Sequence, residues 1–583
     1  MILQALYDYY QRKATDPDPA RRLPAFGLED KEIPFIIELT AEGRPLVITD
    51  TRQGEGKKKV ARRYLIPKGV EKSANIAANL LWGTAEYALG VDSRGKPERV
   101  VKQHAAFRKR IAELPESVRQ DVGIQAIESF YADYGLAALV DDPAWPEIVE
   151  SNPNITFRLF DDSGLLICQS SSVVSVSQSV VEGERETVPC LITGMPTQAN
   201  RLETKIKGVW DAQPAGANIA SFDKEAFTSF NKKQGDNAPV SPMAAFAYTT
   251  ALNHLLDRNS RQRIQVGDTS TVFWAQKDDA EIEEGFAAIF GERDDPDARA
   301  EQVRALLGAV QSGQFDGGRG DKLFYVLGLA PNAARVSVRF WHAAPLHEIA
   351  RQIRQWFSDL KVVRSAKDPE YPSLFRLLAA CAQQGKADNI PPNLGGDIMR
   401  AILSGSPFPA TWLNAAVLRC RAEQNVTYLR AAAIKASLNR LQRFQPNQSL
   451  DKELSDMLDL ENTNPAYRLG RLFAVLERIQ EKAINPNTTI RERYYGAASS
   501  SPVSVFTTLL RLKNHHLAKL NERENVYFER LLGEIMGGLN DFPKHLSLPE
   551  QGRFALGYYH QRQDFFSKSE SSQSMQSTQG ESK

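Results

Sequence analysis

From about Tyr371 onward the apolar residues of this chain fall at helical spacing and stay there, whereas before it short alternating runs keep interrupting that period. A periodicity that switches once in this direction restricts the fold class to α+β, a mixed strand and helix N-terminal region followed by an all-α C-terminal helical bundle. The bundle signal is sharpest near the end. Asn464-Pro465 and Ser501-Pro502 each set a capping side chain before a proline at the first helical position, where a missing N–H costs nothing. After the first, Leu469, Leu472, Phe473, Leu476 and Ile479 line one helical face; after the second, Phe506, Leu509, Leu510, Leu517 and Leu520 do the same. At roughly 100° per residue, Arg511, His515 and Lys519 lie opposite that second stripe.

Such a face is ordinary solvated surface in many helices. Here the local balance favours a second use, because five Lys/Arg stand against one Asp/Glu between Arg491 and Lys519. Arg491, Arg493, Arg511, His515 and Lys519, with Tyr494, Tyr495 and His516 interleaved, form a surface suited to phosphate. The chain as a whole carries 72 Lys+Arg against 71 Asp+Glu, so any polyanion-binding surface must be local.

A length of 583 residues predicts about three or four domain-sized units. The boundaries expected are residues 1–365 for the α+β region, with a subdomain break near 150, and 366–566 for the helical domain. Residues 567–583, rich in Ser, Gln, Glu and Lys, are expected to form a disordered tail. Cys168, Cys190, Cys381 and Cys420 lack CxxC spacing, which disfavours a zinc site or a disulfide framework. The N-terminus has no cationic and apolar signal pattern, and no apolar run reaches the ~20 residues of a membrane span. A cytoplasmic protein without membrane contact is expected.

In the first third, Leu3, Leu6, Tyr7 and Tyr10 make a helical stripe, and Pro34 to Leu39 with Pro45 to Thr49 read as a hairpin. Between Arg52 and Lys72 lie eight Lys/Arg, among them Lys57, Lys58, Lys59, Arg62, Arg63 and Lys68. That stretch is either a solubilising loop or a basic clamp on a polyanion. Ile155 to Phe160 and Leu165 to Cys168 suggest another hairpin; Val266 to Trp274, Leu323 to Leu329 and Arg335 to Trp341 read as strands.

A catalytic reading finds little support. The chain has no GxxxxGK[ST] phosphate loop, HExxH, GxSxG elbow or Rossmann glycine fingerprint. His515 and His516 diverge by roughly 100° on a helix and are poorly placed to share a metal; His347-Glu348 lacks further ligands nearby. Instead, the middle of the chain holds amide-rich, cationic loops punctuated by aromatics: Lys205 to Trp210, Gly216 to Phe222 and Ser229 to Val240. Asn, Gln and Lys donors on glycine-containing loops reach base edges and phosphates, though Asx turns use the same residues.

With these loops, Met1 to Tyr10, Lys72 to Gly90, Gly267 to Ala275, Tyr467 to Phe473, Arg493 to Tyr495, Asn514 to Leu517 and Gly557 to Arg562, the chain resembles the large subunit of the type I-C CRISPR surveillance complex, Cascade, of the Csd-type family. The resemblance runs over essentially the full length. It implies a non-catalytic protein without cofactors. Such a subunit inspects duplex DNA for a short flag, the PAM, helps unwind it into an R-loop, and recruits a separate trans-acting helicase-nuclease. Its partners would be a guide crRNA ribonucleoprotein with repeated backbone subunits and a subunit on the 5′ handle. Division of labour between base pairing and a protein-read flag makes physical sense.

On that resemblance Lys72, Ser73, Asn75 and Asn79 are the expected PAM and DNA contacts, and Lys232, Gln234 and Asn237 the duplex wedge. Ala74 departs from the family's glycine, which removes easy access to positive φ in that loop. The family also has a small subunit translated from within the large-subunit gene. Residues 457–566 resemble it, with Met457 the internal start and the displaced strand its ligand. The competing readings are a stand-alone nuclease or hydrolase with an unrecognised site, and a purely structural scaffold of a nucleoprotein complex.

Overall fold

The computed structural model describes residues 2–54, 59–70, 76–161, 163–179, 186–222, 224–290, 301, 304, 308, 320–445 and 452–580, with side chains as far as Phe566. The chain divides into two compact units, Met1–Ile206 with Asn218–His254, and Lys207–Ala217 with Leu255–Lys583. The expected three or four units, with divisions near 150 and 365, differ from this for two reasons. Strand Asn154–Leu159 pairs in parallel with Phe35–Leu39, which ties the two sides of position 150 into one sheet. On the far side of 254, strands and helices share one apolar core from Ile264 to Tyr559.

The first unit is built on a mixed sheet ordered Pro45–Asp50, Phe35–Leu39, Asn154–Leu159, Trp82–Thr84. Phe35–Leu39 is buried at every residue, as a central strand covered on both faces should be. It forms the predicted hairpin with Pro45–Asp50. Phe107, Ile124, Ile127, Phe130 and Phe157 fill the core beside it. The second predicted hairpin is only half made. Arg158 and Leu166 form an isolated bridge, and the chain then turns into the short helix Ile167–Gln169.

The second unit opens with an antiparallel meander ordered Arg335–Pro345, Leu323–Asn332, Thr269–Ala275, Arg263–Val266. The single strand expected over Val266 to Trp274 is a hairpin here, because Gly267 adopts φ +60° and turns the chain between Val266 and Thr269. Phe273, Phe324, Val326 and Phe340 join the core shared with the helices. After helix Ala280–Phe290, the all-helical run begins at Leu346–Leu360, earlier than the expected Tyr371, because Ile349, Ile353, Trp356, Phe357 and Leu360 already bury one face. The last helix is Leu548–Gly580, so the backbone is helical where a tail was expected from Ser567; it continues an element already anchored by Phe554 and Tyr558. No helix among the described residues is long and apolar enough to cross a membrane.

Asn464 caps helix Pro465–Ile484 as predicted, accepting from the Tyr467 N–H. Ser501 does not cap: Pro502 is the N-cap of Val503–Leu517, and the Ser501 hydroxyl lies 3.4 Å from His545 Nδ1. Deeper in the bundle, Tyr467 Oη and His560 Nδ1 share a 2.9 Å hydrogen bond. Burial, reinforced by the Lys435 charge, pushes His560 from its ordinary 6.5 down to about 3. Between those values the unfolded chain takes up a proton that the folded chain refuses. Its contribution to stability is therefore complete above pH 6.5 and is lost as pH falls, with a limiting slope of about 1.4 kcal/mol per pH unit. His560→Gln is expected to flatten this dependence. Urea midpoints at pH 7 and pH 5 check it, and equal acid losses in both proteins would refute the assignment.

Candidate nucleic-acid interface

Two strands set the base of the expected PAM loop. Leu28–Glu32 pairs antiparallel with Arg63–Pro67, and the Trp82 indole N–H donates to the Pro67 carbonyl at 2.8 Å. Just beyond, the Gly69 N–H donates to Glu29 Oε1 at 2.8 Å and the Val70 N–H to Asn79 Oδ1 at 3.0 Å. Asn79 is only 8 % exposed. It pins the two ends of the loop together from a buried position, not from the open surface that the contact assigned to it from the resemblance requires. Lys72, Ser73 and Asn75 lie outside the described residues.

The expected wedge lies in the same unit. Ser229 and Lys232 close a turn whose two central residues, Phe230 and Asn231, have φ +49° and +58°. The Asn237 amide donates to the Lys232 carbonyl at 3.0 Å and to the Gln234 carbonyl at 3.1 Å. Gly235 seats the loop against its neighbour: its N–H donates to the Arg201 carbonyl at 3.3 Å, and a Cβ there would come 1.9 Å from the Asn200 carbonyl oxygen. Asn237 and Gly235 thus shape the loop, while Lys232 is exposed. Phe230 is 94 % exposed at the tip. The sequence placed it among the aromatics that punctuate these loops without singling it out, since an aromatic flanked by polar residues carries no periodic signal.

The segment from Asn200 to Thr204 joins these two elements. It bonds the wedge loop through the Arg201 carbonyl and, through the Asn200 N–H, the Val240 carbonyl at 2.8 Å. At its other end Thr204 Oγ1 accepts from Lys68 Nζ at 2.7 Å. Lys68 also stands 4.9 Å over the Phe246 ring. Glu203 accepts from the Tyr248 hydroxyl; burial holds its carboxyl above the usual range against the opposing pull of that bond and of Lys68.

Lys68 is therefore a structural cation and not part of an open clamp. The rest of the clamp disperses. Arg63 is paired with Asp30 at 2.8 Å, Lys59 stands 3.9 Å from Asp50, and the Arg62 guanidinium lies over Tyr64. Lys57 and Lys58 fall outside the described residues.

In the helical bundle, Arg493, Arg511, His515 and Lys519 are exposed and make no ion pair among the described residues. Arg491 turns inward instead. Its Nε lies 3.7 Å from the buried Glu477 carboxylate, which also accepts from Tyr558 Oη at 2.6 Å, Arg562 at 2.7 Å and Thr489 at 2.9 Å. A buried carboxylate demands such partners, so Arg491 belongs to the core network. The next helix, Glu522–Met536, adds exposed Arg523, Tyr527 and Arg530 at i, i+4 and i+7. That spacing was legible in the sequence. Lys513 pairs with Glu529 at 3.2 Å and the Asn525 amide with the Leu517 carbonyl at 3.2 Å, so the two helices run antiparallel as a hairpin. Met457 is 65 % exposed ahead of the bundle. Among the described residues no group of three or more His, Cys, Asp or Glu is placed to hold a metal.

The family model of the CRISPR-associated protein Cas_Csd1 matches residues 6–566, nearly the whole chain, and the chain belongs to that family. No curated protein matches it.

Proposed function

We propose that this CRISPR-associated chain is the non-catalytic large subunit of a type I-C RNA-guided DNA-surveillance complex acting in the cytoplasm. In this reading it recognises the PAM in duplex DNA, helps open the duplex into an R-loop, and recruits a separate helicase-nuclease. It assembles with the guide crRNA, the repeated backbone subunits and the subunit on the 5′ handle. The observation that supports it most is the Asn200–Thr204 segment, which fastens the wedge loop at one end and the base of the PAM loop, through Lys68, at the other. A protein that reads a short flag and then parts the adjacent pairs needs its reading and splitting elements on one rigid support.

The C-terminal hairpin of helices supplies the other half of the proposal. Its exposed Arg511, His515 and Lys519, with Arg523, Tyr527 and Arg530 alongside, suit a single strand held by phosphate contacts and base stacking. A separate product beginning at Met457 would carry the same surface as a small subunit.

Lys72→Ala and Asn75→Ala separate the two kinds of contact. In the assembled complex, tested against duplexes that differ only in the flag, Asn75→Ala is expected to narrow the ratio between preferred and unrelated flags by roughly tenfold or more. Lys72→Ala should weaken all of them alike. Unchanged discrimination by both variants would remove the PAM assignment.

A further inference from the structure

We infer that Phe230 is the side chain that enters the base stack when the target duplex opens, an assignment that rests on the DNA-opening reading above. Nothing in folding asks for a phenylalanine at this position. At 94 % exposure it buries almost no apolar surface. Its φ of +49°, followed by +58° at Asn231, is the geometry of a turn that favours Asn-Gly and disfavours an aromatic residue. An aromatic kept at a conformational disadvantage and in full contact with water is placed for a partner.

The tip is also firmly mounted. The Lys232 N–H donates to the Ser229 carbonyl at 2.9 Å across the turn, and the Asn237 amide braces the Lys232 and Gln234 carbonyls from behind. Gly235 is wedged against the Asn200 backbone, so the loop cannot fold back under load.

The chemistry around the tip selects the partner. Exposed Lys232 and Lys233 follow it after Asn231 and form no ion pair among the described residues, while Asp236 sits at the foot of the loop in the turn Gln234–Asn237. An apolar ring with two cations close behind it fits a base-pair step between two phosphate backbones, where phenylalanine wedges unstack and kink DNA. A protein pocket would have to accommodate the two lysines as well.

The assembled complex carrying Phe230→Ala or Phe230→Trp would be mixed with two targets, one fully paired and one already mismatched beside the flag. Both hold 2-aminopurine in the first pairs, so that opening is read as a fluorescence rise. Loss of one stacking contact is expected to slow opening of the paired target by roughly tenfold to hundredfold in Phe230→Ala. The mismatched target should be engaged at the wild-type rate, and Phe230→Trp should open the paired one. Wild-type opening by Phe230→Ala would overturn the assignment; if degradation by the helicase-nuclease were then lost, Phe230 would belong to a protein interface. Equal slowing on both targets would likewise overturn it, in favour of general binding. Failure of the wild-type complex to respond to the flag would instead refute the underlying function.

Discussion

Replacing Asp359 with alanine is expected to destabilise the second unit by about 3–5 kcal/mol, because it strands a buried positive charge. Asp359 is fully buried near the end of helix Leu346–Leu360. Its Oδ2 accepts from Arg440 Nε at 3.0 Å and Nη2 at 2.7 Å, a forked pair, and its Oδ1 from Arg443 at 2.7 Å and Gln355 at 2.9 Å. Arg440 is itself buried, with its guanidinium 4.4 Å over Phe408 and further bonds to the Ala401 carbonyl at 3.0 Å and the Ser406 carbonyl at 3.4 Å. Burial lowers the Arg440 pKa, and the Asp359 carboxylate is the main influence opposing that. Without the carboxylate the guanidinium keeps its desolvation penalty and loses its compensation.

The partner substitution makes the argument testable. Asp359→Leu with Arg440→Met removes both charges and should recover much of the stability lost by Asp359→Ala alone, since a buried pair is worth far less than either member left unpaired. Trp356 and Trp412 lie within 6 Å of each other, centroid to centroid, in the same core, so tryptophan fluorescence during denaturation reports this unit. A single-variant loss no larger than that of a surface change, or a double variant worse than the single, would show that the pair carries no such energy.

The parts of the fold that sequence made legible are those decided within a few residues. Asn464-Pro465 starts a helix because the cap, the proline and the apolar stripe act locally, and the Phe35–Leu39 hairpin follows from a tight polar turn between two apolar runs. Gly267-Asp268 is also local, but β-favouring residues flank it on both sides, Ile264 and Val266 before and Thr269, Thr271 and Val272 after, so the turn was hidden by the strands it joins. The unit boundary was not legible, because the parallel pairing of Phe35–Leu39 with Asn154–Leu159 depends on chain more than a hundred residues away. The candidate site divides in the same way. Exposed cations such as Arg511 and Lys232 stayed where periodicity and loop composition put them. Asn79, Lys68 and Arg491 were drawn inward by partners that composition does not reveal: an unsatisfied Val70 N–H, Thr204 with the Phe246 ring, and the buried Glu477.

Gly470→Ala and Gly557→Ala are each expected to destabilise the C-terminal bundle, although alanine is the better helix former by roughly 1 kcal/mol. Helices Pro465–Ile484 and Leu548–Gly580 cross at these two residues with their backbones in contact. A Cβ at Gly470 would lie 2.0 Å from the Phe554 carbonyl oxygen, and one at Gly557 would lie 2.1 Å from that of Tyr467. Main-chain atoms cannot rotate aside, so the helices must separate, which loosens Phe473 from Tyr495, Phe554 and Tyr558. Overpacking of this kind costs about 1–3 kcal/mol net of the propensity gain. The double variant should lose less than the sum of the two, because the first methyl already opens the crossing that the second would meet. Denaturation midpoints of the four proteins give the coupling directly, and additive losses or any stabilisation would mean that the crossing tolerates a wider spacing. Both glycines lie beyond Met457, so a product starting there should show the same pattern. In that product, however, Gly552 would lose the Leu413, Ile434 and Leu438 side chains that cover it in the full chain. The separate bundle must therefore bury that stretch of its last helix against something else, and its stability should rise with protein concentration or on joining the complex, whereas that of the full chain should not.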